Sequence, residues 1–544
     1  MKKGWILIGI SLIALSGCTN QKEVHVVKAQ KQKEIFQEVT KVEEIVEKGS
    51  IPLPYEIAEE ERSTSRIVFE RYKENNLLED IVIKPDEMFP EIYSEVEGVL
   101  SFRGNHLRNQ PSYGEANITE EKLQQKWSQQ TSSIGEWGGG AGWTGQASII
   151  KWDESIKNGM NIVDSFKTKD NFKEVIQPSL DGKVYFLDLE TGEKTRDPIL
   201  IDNPIKASVS IDPRGYPLLY VGQGIQQTKD FGYRIYSLID GKLLHFINGK
   251  EPLAYRDWGA FDGAPLINRE TDTMYLGGEN GLLYQISLNT KYEKDQNTLT
   301  MNPETTIYRY KVNGNERLGI ENSVSAYRNL LYFADNGGSV QAVDMKEMRP
   351  VWALDQTDDT DSTIVLDIEE ETPMLYTGTE VDVQGKSGLS TIRKINGVTG
   401  EVVWRKIFEA SSIVGANPVN GGLLATPVSG KGEISNLIIF SIARVGNLDK
   451  GLIVALDKRT GQEIWMKEMD HYSWSSPVDI YTSSGKAYLI QGDTMGNLHL
   501  IDGANGETLD TINLGANIEA SPVIYENMIV VATRGGYIYG IEIK

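Results

Sequence analysis

A tight turn followed by a short strand recurs along this chain, and this repeat constrains the fold more than any other feature. The clearest copy lies within residues 451–469: an apolar strand ends in Ala455-Leu456-Asp457, Gly461 closes the turn, and the next strand carries Trp465. Glycine adopts the positive φ that such a turn requires, and aspartate can bond to the turn backbone. Further copies begin at Asp188, Ser237, Asp344, Asn396 and Asp502.

The interval between these turns predicts the architecture. Gly400 and Gly461 lie 61 residues apart, and Gly461 and Gly506 lie 45 residues apart. Intervals of this length with several strands each are typical of the blades of a β-propeller. An upstream strand in each repeat follows a small residue or proline, with starts near residues 144, 206, 262, 322, 362, 423, 475 and 520. The sequence therefore predicts an all-β, eight-bladed β-propeller.

The last repeat is short by one strand, because residues 520–544 are enough for only three. The segment Lys122–Gln130 carries Trp127 at the position that tryptophan occupies in the repeat. We predict that this segment supplies the missing outer strand. Such a closure of the ring removes strand edges that would otherwise be exposed.

The frame Ala-x-Asp-x-x-Thr-Gly-x-x-x-Trp, complete at residues 455–465, resembles the tryptophan-docking repeat of the pyrroloquinoline quinone (PQQ)-like propellers. The resemblance covers about residues 100–544. It implies a fold shared with quinoprotein alcohol dehydrogenases and with the propeller lipoprotein of the bacterial outer-membrane protein assembly machinery. The last position of the frame differs between copies: it is Trp352, Trp404, Trp465, Arg196, His245 or Asp510. We expect the docking contacts to be made differently where tryptophan is missing.

The repeat register predicts what lies at one mouth of the axial channel, where the residues before the innermost strands of a propeller meet. Four carboxylates, one cation and two indoles are expected there: Asp262, Glu321, Asp361, Glu519, Lys206, Trp143 and Trp474. Such a mouth suits a basic or amide-rich ligand such as an extended peptide, or a sugar that stacks on tryptophan. The alternative is that these side chains, with water, only fill the axis.

The resemblance also implies a cofactor alternative. The dehydrogenases of the family hold PQQ with Ca²⁺ bound by Glu, Asn and Asp, and Glu321, Asn322 and Asp361 could form part of such a site. The competing interpretation is that these polar side chains satisfy backbone groups at loop ends. Many members also have adjacent cysteines, whereas this chain has a single cysteine. We predict no catalytic residue, no metal and no cofactor, and keep PQQ with calcium as the alternative.

The N-terminus predicts export and lipid attachment. Lys2 and Lys3 precede an apolar run at residues 5–15, the order of a secretory signal. Leu15-Ser16-Gly17-Cys18 then resembles the bacterial lipobox, in which the cysteine is acylated. We predict a signal peptide at residues 1–17, lipidation of Cys18, and an extracytoplasmic protein anchored to either a cytoplasmic or an outer membrane.

The segment after Cys18 differs in composition from the rest of the chain, being rich in Glu and Lys and nearly free of Gly. One helical stripe is formed by Ile35, Val39, Val42 and Val46. Residues 59–79 could also be helical. We predict a partly helical, charged, lipid-anchored spacer at residues 18–100 and the propeller at residues 101–544.

The net charge reduces the number of possible functions. The net charge of −22 argues against nucleic acid as a partner, because phosphates require a cationic surface. We predict a non-enzymatic scaffold of the cell envelope that binds a protein or an envelope polymer. The alternatives are a PQQ- and calcium-dependent oxidoreductase, which a bound chromophore would reveal, and a carbohydrate-binding propeller, which should lose its glycan when Trp143 or Trp474 is replaced by alanine.

Overall fold

Short β-branched and aromatic segments, separated by glycine turns, form eight antiparallel sheets of four to six strands in the computed structural model. The eight-bladed, almost entirely β propeller is thereby confirmed. The structure describes residues 66–80, 83–135, 138–143, 145–415 and 418–544. The predictions of a signal peptide at residues 1–17, of lipidated Cys18 and of a helix at residues 35–46 lie outside the described residues.

In chain order, the strands of the first half are β1 (Ile67–Lys73), β2 (Asn76–Leu77), β3 (Gly98–Val99), β4 (Ser112–Tyr113), β5 (Leu123–Gln130), β6 (Ser148–Lys151), β7 (Lys173–Pro178), β8 (Lys183–Asp188), β9 (Ile199–Leu200), β10 (Ser210–Ile211), β11 (Leu218–Val221), β12 (Gly232–Ser237), β13 (Leu243–Asn248), β14 (Leu266–Asn268), β15 (Thr273–Gly277), β16 (Leu282–Ser287), β17 (Lys291–Glu293), β18 (Thr298–Thr300), β19 (Glu304–Val312) and β20 (Ser325–Tyr327). The strands that follow are β21 (Leu330–Ala334), β22 (Val340–Asp344), β23 (Arg349–Ala353), β24 (Val365–Glu369), β25 (Thr372–Gly378), β26 (Glu380–Val381), β27 (Gly388–Asn396), β28 (Val402–Ala410), β29 (Gly421–Gly422), β30 (Val428–Ser429), β31 (Leu437–Ala443), β32 (Gly451–Asp457), β33 (Glu463–Met469), β34 (Val478–Tyr481), β35 (Ala487–Gly492), β36 (Asn497–Asp502), β37 (Thr508–Asn513), β38 (Val523–Tyr525), β39 (Met528–Thr533) and β40 (Tyr537–Ile543). Within the described ranges, the helices are α1 (Glu154–Gly159), α2 (Asp164–Lys167) and three 3-10 turns at Lys294–Gln296, Gly385–Ser387 and Gly432–Ile434.

The blades follow one another along the chain. From inside to outside they contain β3, β6, β7, β8 and β9 (blade 1); β10 to β13 (blade 2); β14, β15, β16, β19, β1 and β2 (blade 3); β20 to β23 (blade 4); β24, β25, β27 and β28 (blade 5); β26 and β29 to β33 (blade 6); β34 to β37 (blade 7); and β4, β38, β39, β40 and β5 (blade 8). Strands β17 and β18 form a separate hairpin.

The tryptophan of a complete repeat joins its blade to the next one. The indole Nε1 of Trp352 donates to the carbonyl of Gly397 at 2.8 Å, and the ring lies against Gly400. A Cβ added at Gly400 would come within 2.8 Å of the indole, and the φ of this residue is +79°. Glycine is therefore required both by the turn and by the close approach of the ring. Trp404 and Trp465 repeat this contact on the next two blades.

A guanidinium takes the place of the indole where blade 1 meets blade 2. Arg196 Nη1 donates to the carbonyl of Leu238 at 2.9 Å, the position equivalent to the carbonyls that the indoles of blades 4, 5, 6 and 8 bind. Its Nη2 pairs with Glu174 Oε2 at 2.6 Å, and both side chains are buried. The expected change of docking contact is therefore present at this position.

Ring closure follows the prediction made for Lys122–Gln130. Strand β5 pairs antiparallel with β40, with Gln130 opposite Tyr537 and Leu123 opposite Ile543. Trp127 on β5 then docks on blade 1, donating to the carbonyl of Leu189 at 2.9 Å. A strand from the N-terminal side and the last strand of the chain are thus joined in one sheet.

Residues 98–113 run through the centre of the ring, and we call this segment the axial plug. Strand β3 pairs with β6 in blade 1, and β4 pairs in parallel with β38 in blade 8. Further backbone hydrogen bonds join the plug to blades 2, 4 and 5: Ile211 N to Leu100 O, Ala326 N to His106 O, and Leu366 N to Leu107 O. The sequence did not predict this plug, because its residues carry no repeat.

Arg103 and Arg108 connect the axial plug to the remaining blades, and both are fully buried. Arg103 donates from Nη1 to the carbonyl of Pro477 at 2.6 Å and from Nη2 to that of Pro427 at 2.7 Å. Arg108 likewise donates to the carbonyls of Val324 and Ala264. Burial lowers the pKa of each guanidinium to about 10, so both remain charged at neutral pH.

The predicted charged spacer at residues 18–100 is wrong over its described part. Residues 67–73, expected to be helical, form β1, which pairs along its whole length with the outer strand β19 of blade 3. Phe69 stacks on Tyr308 of β19 with ring centroids 5.9 Å apart. Because β3 also belongs to blade 1, the folded body begins before the predicted boundary at residue 101.

Replacing Arg103 with methionine should lower the free energy of unfolding by about 3 kcal/mol or more, because it removes two buried charged hydrogen bonds and leaves two proline carbonyls without donors. Arg103→Lys should fall between methionine and the wild type, since one ammonium replaces a forked donor. Thermal unfolding of the full-length protein measures the effect. Arg405→Met, at an exposed position of β28, is the matched control and should leave the melting temperature unchanged. An R103M protein as stable as the wild type would contradict a structural role for the plug.

Candidate functional site

The residues predicted for the axial mouth lie together, starting with Lys206. Its Nζ donates to Asp262 Oδ2 at 2.6 Å and lies 4.0 Å from the centre of the Trp143 ring. Burial alone would lower the pKa of Lys206, but the carboxylates of Asp262, Glu279 and Glu321 outweigh it and raise that pKa. Lys206 therefore stays an ammonium that is held between an acid and an indole.

The aromatic side of the mouth is formed by Trp143 and Trp474, whose ring centroids are 6.2 Å apart. The backbone N–H of Trp143 donates to Glu519 Oε2 at 3.1 Å. On the acidic side, the charge of Glu321 acts on Asp361. The structure thus brings together all seven predicted residues, which come from the loops before the innermost strands of seven blades.

Glycine makes the close packing of this mouth possible. A Cβ added at Gly224 would lie 2.4 Å from Lys206 Cδ and 2.7 Å from Asp262 Oδ1. A Cβ added at Gly142 would lie 2.8 Å from Glu519 Oε2. The small residues that the repeat places beside the innermost strands therefore leave room for the charged side chains.

Three further carboxylates lie in the same place and were not predicted: Glu279, Asp359 and Glu380. Glu279 follows the end of β15 and Glu380 follows the end of β25, so the loops after second strands also reach the mouth. Both are preceded by the same signal, a glycine two residues earlier at Gly277 and Gly378. Reading the register at the ends of second strands would have found these two.

The first group of carboxylates is Asp262, Glu279 and Glu321, each of which places an oxygen within 4.8 Å of the other two. Burial raises the pKa of Glu279 well above its usual value, and repulsion by Glu321 and Asp262 raises it further. Burial also raises the pKa of Asp262, with Lys206 opposing this effect. These are the residues of the mouth that could hold a metal ion.

The second group is Asp359, Asp361 and Glu380. Burial is the largest cause that raises the pKa of each of them, and mutual repulsion adds to it. Asn336 links the two groups, because its Nδ2 donates to Glu321 Oε1 at 2.7 Å and to Asp359 at 3.2 Å. Asn420 Nδ2 donates to Glu380 Oε2 at 2.9 Å. Few cations in the described residues lie close enough to offset the negative charge of these buried carboxylates.

Asn322, one of the residues of the calcium and PQQ alternative, is held by the backbone around it. The Asn322 side chain is engaged on both sides: Nδ2 donates to the carbonyls of Ala334 at 2.8 Å and Thr360 at 2.9 Å, while Oδ1 accepts from the Ala334 N–H. These hydrogen bonds fix the orientation of the Asn322 side chain and use one of the two lone pairs of its Oδ1. The polar groups of Asn322 satisfy the backbone at a loop end, which is the competing interpretation given above.

Comparison with protein families supports the fold. Residues 449–544, which span the last two strands of blade 6, all of blade 7 and the C-terminal strands of blade 8, match the family model described as outer membrane protein assembly factor BamB. The curated protein of that name from Kangiella koreensis is 34% identical over 112 residues, 20% of this chain and 28% of that protein. The Escherichia coli protein is 28% identical over 148 residues, 27% of this chain and 33% of its own length. The chain thus spans between 28% and 39% of the length of the curated relatives it matches.

Solved structures show the same architecture. The quinohemoprotein alcohol dehydrogenase of Comamonas testosteroni has a TM-score of 0.57 at 13% identity, covering 82% of this chain and 80% of that one. The ADHIIG enzyme of Pseudomonas putida HK5 has a TM-score of 0.54 at 14% identity with the same coverage. At such identities the likeness shows the fold alone. The chain therefore has the fold of these eight-bladed propellers, and its C-terminal part is similar to BamB.

Among the helices of the described residues, none has the length and apolar character needed to cross a lipid bilayer.

Replacing Glu380 with glutamine should make the protein more stable than the wild type by an amount that grows with pH. The pKa of Glu380 is higher in the folded than in the unfolded protein. Glu380 therefore lowers the free energy of unfolding as pH rises from its unfolded pKa towards its folded pKa, by up to about 1.4 kcal/mol per pH unit. Glutamine does not titrate and keeps the oxygen that accepts from Asn420. Denaturant unfolding at pH 5, 6, 7 and 8 with EDTA measures the difference, with the exposed Glu463→Gln as control. A difference that stays constant with pH would contradict the assignment.

Proposed function

We propose that this protein is a non-enzymatic, extracytoplasmic scaffold, anchored to a membrane through lipidated Cys18, that binds a protein of the cell envelope. The observation that carries the proposal is the similarity of residues 449–544 to an outer membrane protein assembly factor. The lipobox-like sequence before Cys18 supports the anchor. The dehydrogenase structures share the fold alone, and the Asn322 side chain is hydrogen-bonded to the backbone at a loop end.

The axial plug bears on how a partner would bind. Because residues 98–113 occupy the centre of the ring and contact the innermost strands, an extended chain would not thread through the axis. A partner would therefore bind on an outer surface or on the mouth.

Two surfaces suit a protein partner. The outer edge strands β28 and β33 expose large apolar side chains, among them Val403, Ile407 and Met466, each about half exposed. Exposed apolar groups on strand edges are typical of protein contacts. The acidic mouth would complement a basic segment of the same partner.

Carbohydrate remains the second candidate, and Trp474 is the observation that favours it. Its indole Nε1 is buried and has no acceptor among the described residues, while its ring lies near that of Trp143. A sugar hydroxyl could accept this hydrogen bond while the sugar ring stacks on an indole. Loss of glycan retention in Trp143→Ala and Trp474→Ala would identify this class of ligand.

Replacing Cys18 with serine should release the protein from the membrane fraction, because the acylated thiol is the proposed anchor and a hydroxyl does not accept the lipid. Fractionation of cells with and without the substitution measures this, together with incorporation of a radiolabelled fatty acid. Ser16→Ala keeps a small residue in the signal and is the control. Membrane retention of the C18S protein, with no loss of label, would contradict the lipid anchor.

Site-specific crosslinking in cells tests the scaffold itself. A photoreactive phenylalanine analogue at Ile407 on β28, or at Trp474 in the mouth, should yield an adduct with a protein of the envelope. The same analogue at Glu193, an exposed residue in the turn between β8 and β9, should not. Mass spectrometry identifies the adduct. Absence of any protein adduct from Ile407 and Trp474 would contradict the proposal.

A further inference from the structure

Strand β28 is the outermost strand of blade 5, and no further strand covers its outer edge in the described part of the chain. It pairs with β27 on its inner side, and at its end Ala410 also pairs with Val445. The backbone between Trp404 and Glu409 therefore has free N–H and C=O groups along one side. An edge of this kind is a template on which a strand of another chain can pair.

Blade 3 shows how this protein covers an equivalent edge. Its outer strand β19 has nine residues, as β28 does, and β1 pairs antiparallel along it. Glu70 of β1 lies directly opposite Arg309 of β19, and Glu70 Oε2 accepts a hydrogen bond from Arg309 Nη1 at 2.7 Å. The added strand thus brings an acid to the arginine of the edge strand.

Strand β28 also carries an arginine, but no acid of the described residues pairs with it. Arg405 is exposed and lies directly opposite Arg393 of β27, so the two side chains share one face of the sheet. Arg393 is only 6% exposed, and its Nε and Nη2 have no acceptor. Burial alone lowers the pKa of Arg393 to about 10, without the opposing effect that a nearby carboxylate would have.

This pair of arginines is costly for the folded protein. Like charges on directly opposite residues destabilise a sheet, and a buried charge normally has a partner of opposite sign. Arg405 lies between Arg393 and the free edge, so an acid on an added strand would lie beside both guanidinium groups. The edge and the unpaired charges therefore point to the same ligand.

We propose that β28 binds an extended strand of a partner protein, which pairs antiparallel along Trp404–Glu409 and places an aspartate or glutamate opposite Arg405. This inference rests on the proposed scaffold function and names the chemistry by which the partner is recognised. In this register the residue two positions before the acid faces Ile407, whose side chain is 52% exposed. An apolar residue at that position would cover it.

A peptide of residues 66–73 is a suitable probe, because these residues already form an added strand on β19. With Glu70 opposite Arg405, the antiparallel register places Val68 opposite Ile407. Fluorescence anisotropy of the labelled peptide with the detergent-solubilised, full-length protein should show saturable binding. No binding at millimolar concentration would overturn the proposal.

Charge exchange locates the pairing. Arg405→Glu should weaken peptide binding about tenfold or more, because an attractive cross-strand pair becomes a repulsive one. A peptide with Glu70→Lys should instead bind the R405E protein more tightly than the wild type. Lys194→Glu makes the same change of charge at an exposed turn of blade 1 and should bind the original peptide as the wild type does. Equal affinities of the wild type and R405E, or no recovery with the exchanged pair, would overturn the assignment.

Arg393→Met separates binding from damage to the fold. Removing a buried charge without a partner should raise the melting temperature, while the loss of its attraction for the acid should weaken peptide binding. Damage to the fold would lower both. Unchanged peptide affinity of the R393M protein would contradict the role of Arg393.

Crosslinking in cells distinguishes this inference from the scaffold function itself. In the R405E protein, the photoreactive analogue at Ile407 should lose its adduct, whereas the analogue at Trp474 should keep it. An Ile407 adduct that R405E leaves unchanged would overturn the strand pairing alone. Absence of adducts from both positions in the wild type would contradict the scaffold function.

Discussion

Two buried guanidinium groups hold the ring around its own N-terminal segment. Innermost propeller strands begin at small residues and prolines, and their first carbonyls face the axis without partners from the sheet. Arg103 and Arg108 donate to these carbonyls in blades 3, 4, 6 and 7. The backbone of the axial plug forms hydrogen bonds with the strands of blades 1, 2, 5 and 8. A charged group is costly to bury unless its donors are used, and here several are. The eight blades thus share one central element.

The acidic mouth depends on this arrangement. Asp262, Glu321 and Trp474 lie two or three positions before Ala264, Val324 and Pro477, whose carbonyls the plug binds, so the plug fixes the loops from which these three side chains project. Six carboxylates then lie together, with Lys206 and Asn336 as donors inside the group. Buried acids with few counterions raise one another's pKa, which stores an electrostatic cost that a cation would relieve. A group of this kind is costly to keep for stability alone, which supports a role in binding.

Residues at repeated positions could be placed in the fold from the sequence, whereas residues outside the repeat could not. Blade number, ring closure through Trp127, and all seven mouth residues followed from the register, because each repeat places equivalent positions at equivalent points in space. Glu279 and Glu380 were missed since only the loops before innermost strands were considered. Residues of β1 were assigned to a partly helical spacer because the segment is rich in charge. They form a strand because they pair along the free edge of β19.

The sequence by itself determined the architecture, since the period of the turns, the glycine in most of them and the tryptophan that docks on several are local and repeated. Tertiary structure decided how the axis is filled and how the charges at the mouth are arranged. Arg103 is more than 300 residues away from the carbonyls it binds, and Lys206 is 56 residues from Asp262. No local pattern encodes such pairs, because they exist only once the ring has closed and brought distant loops to one point.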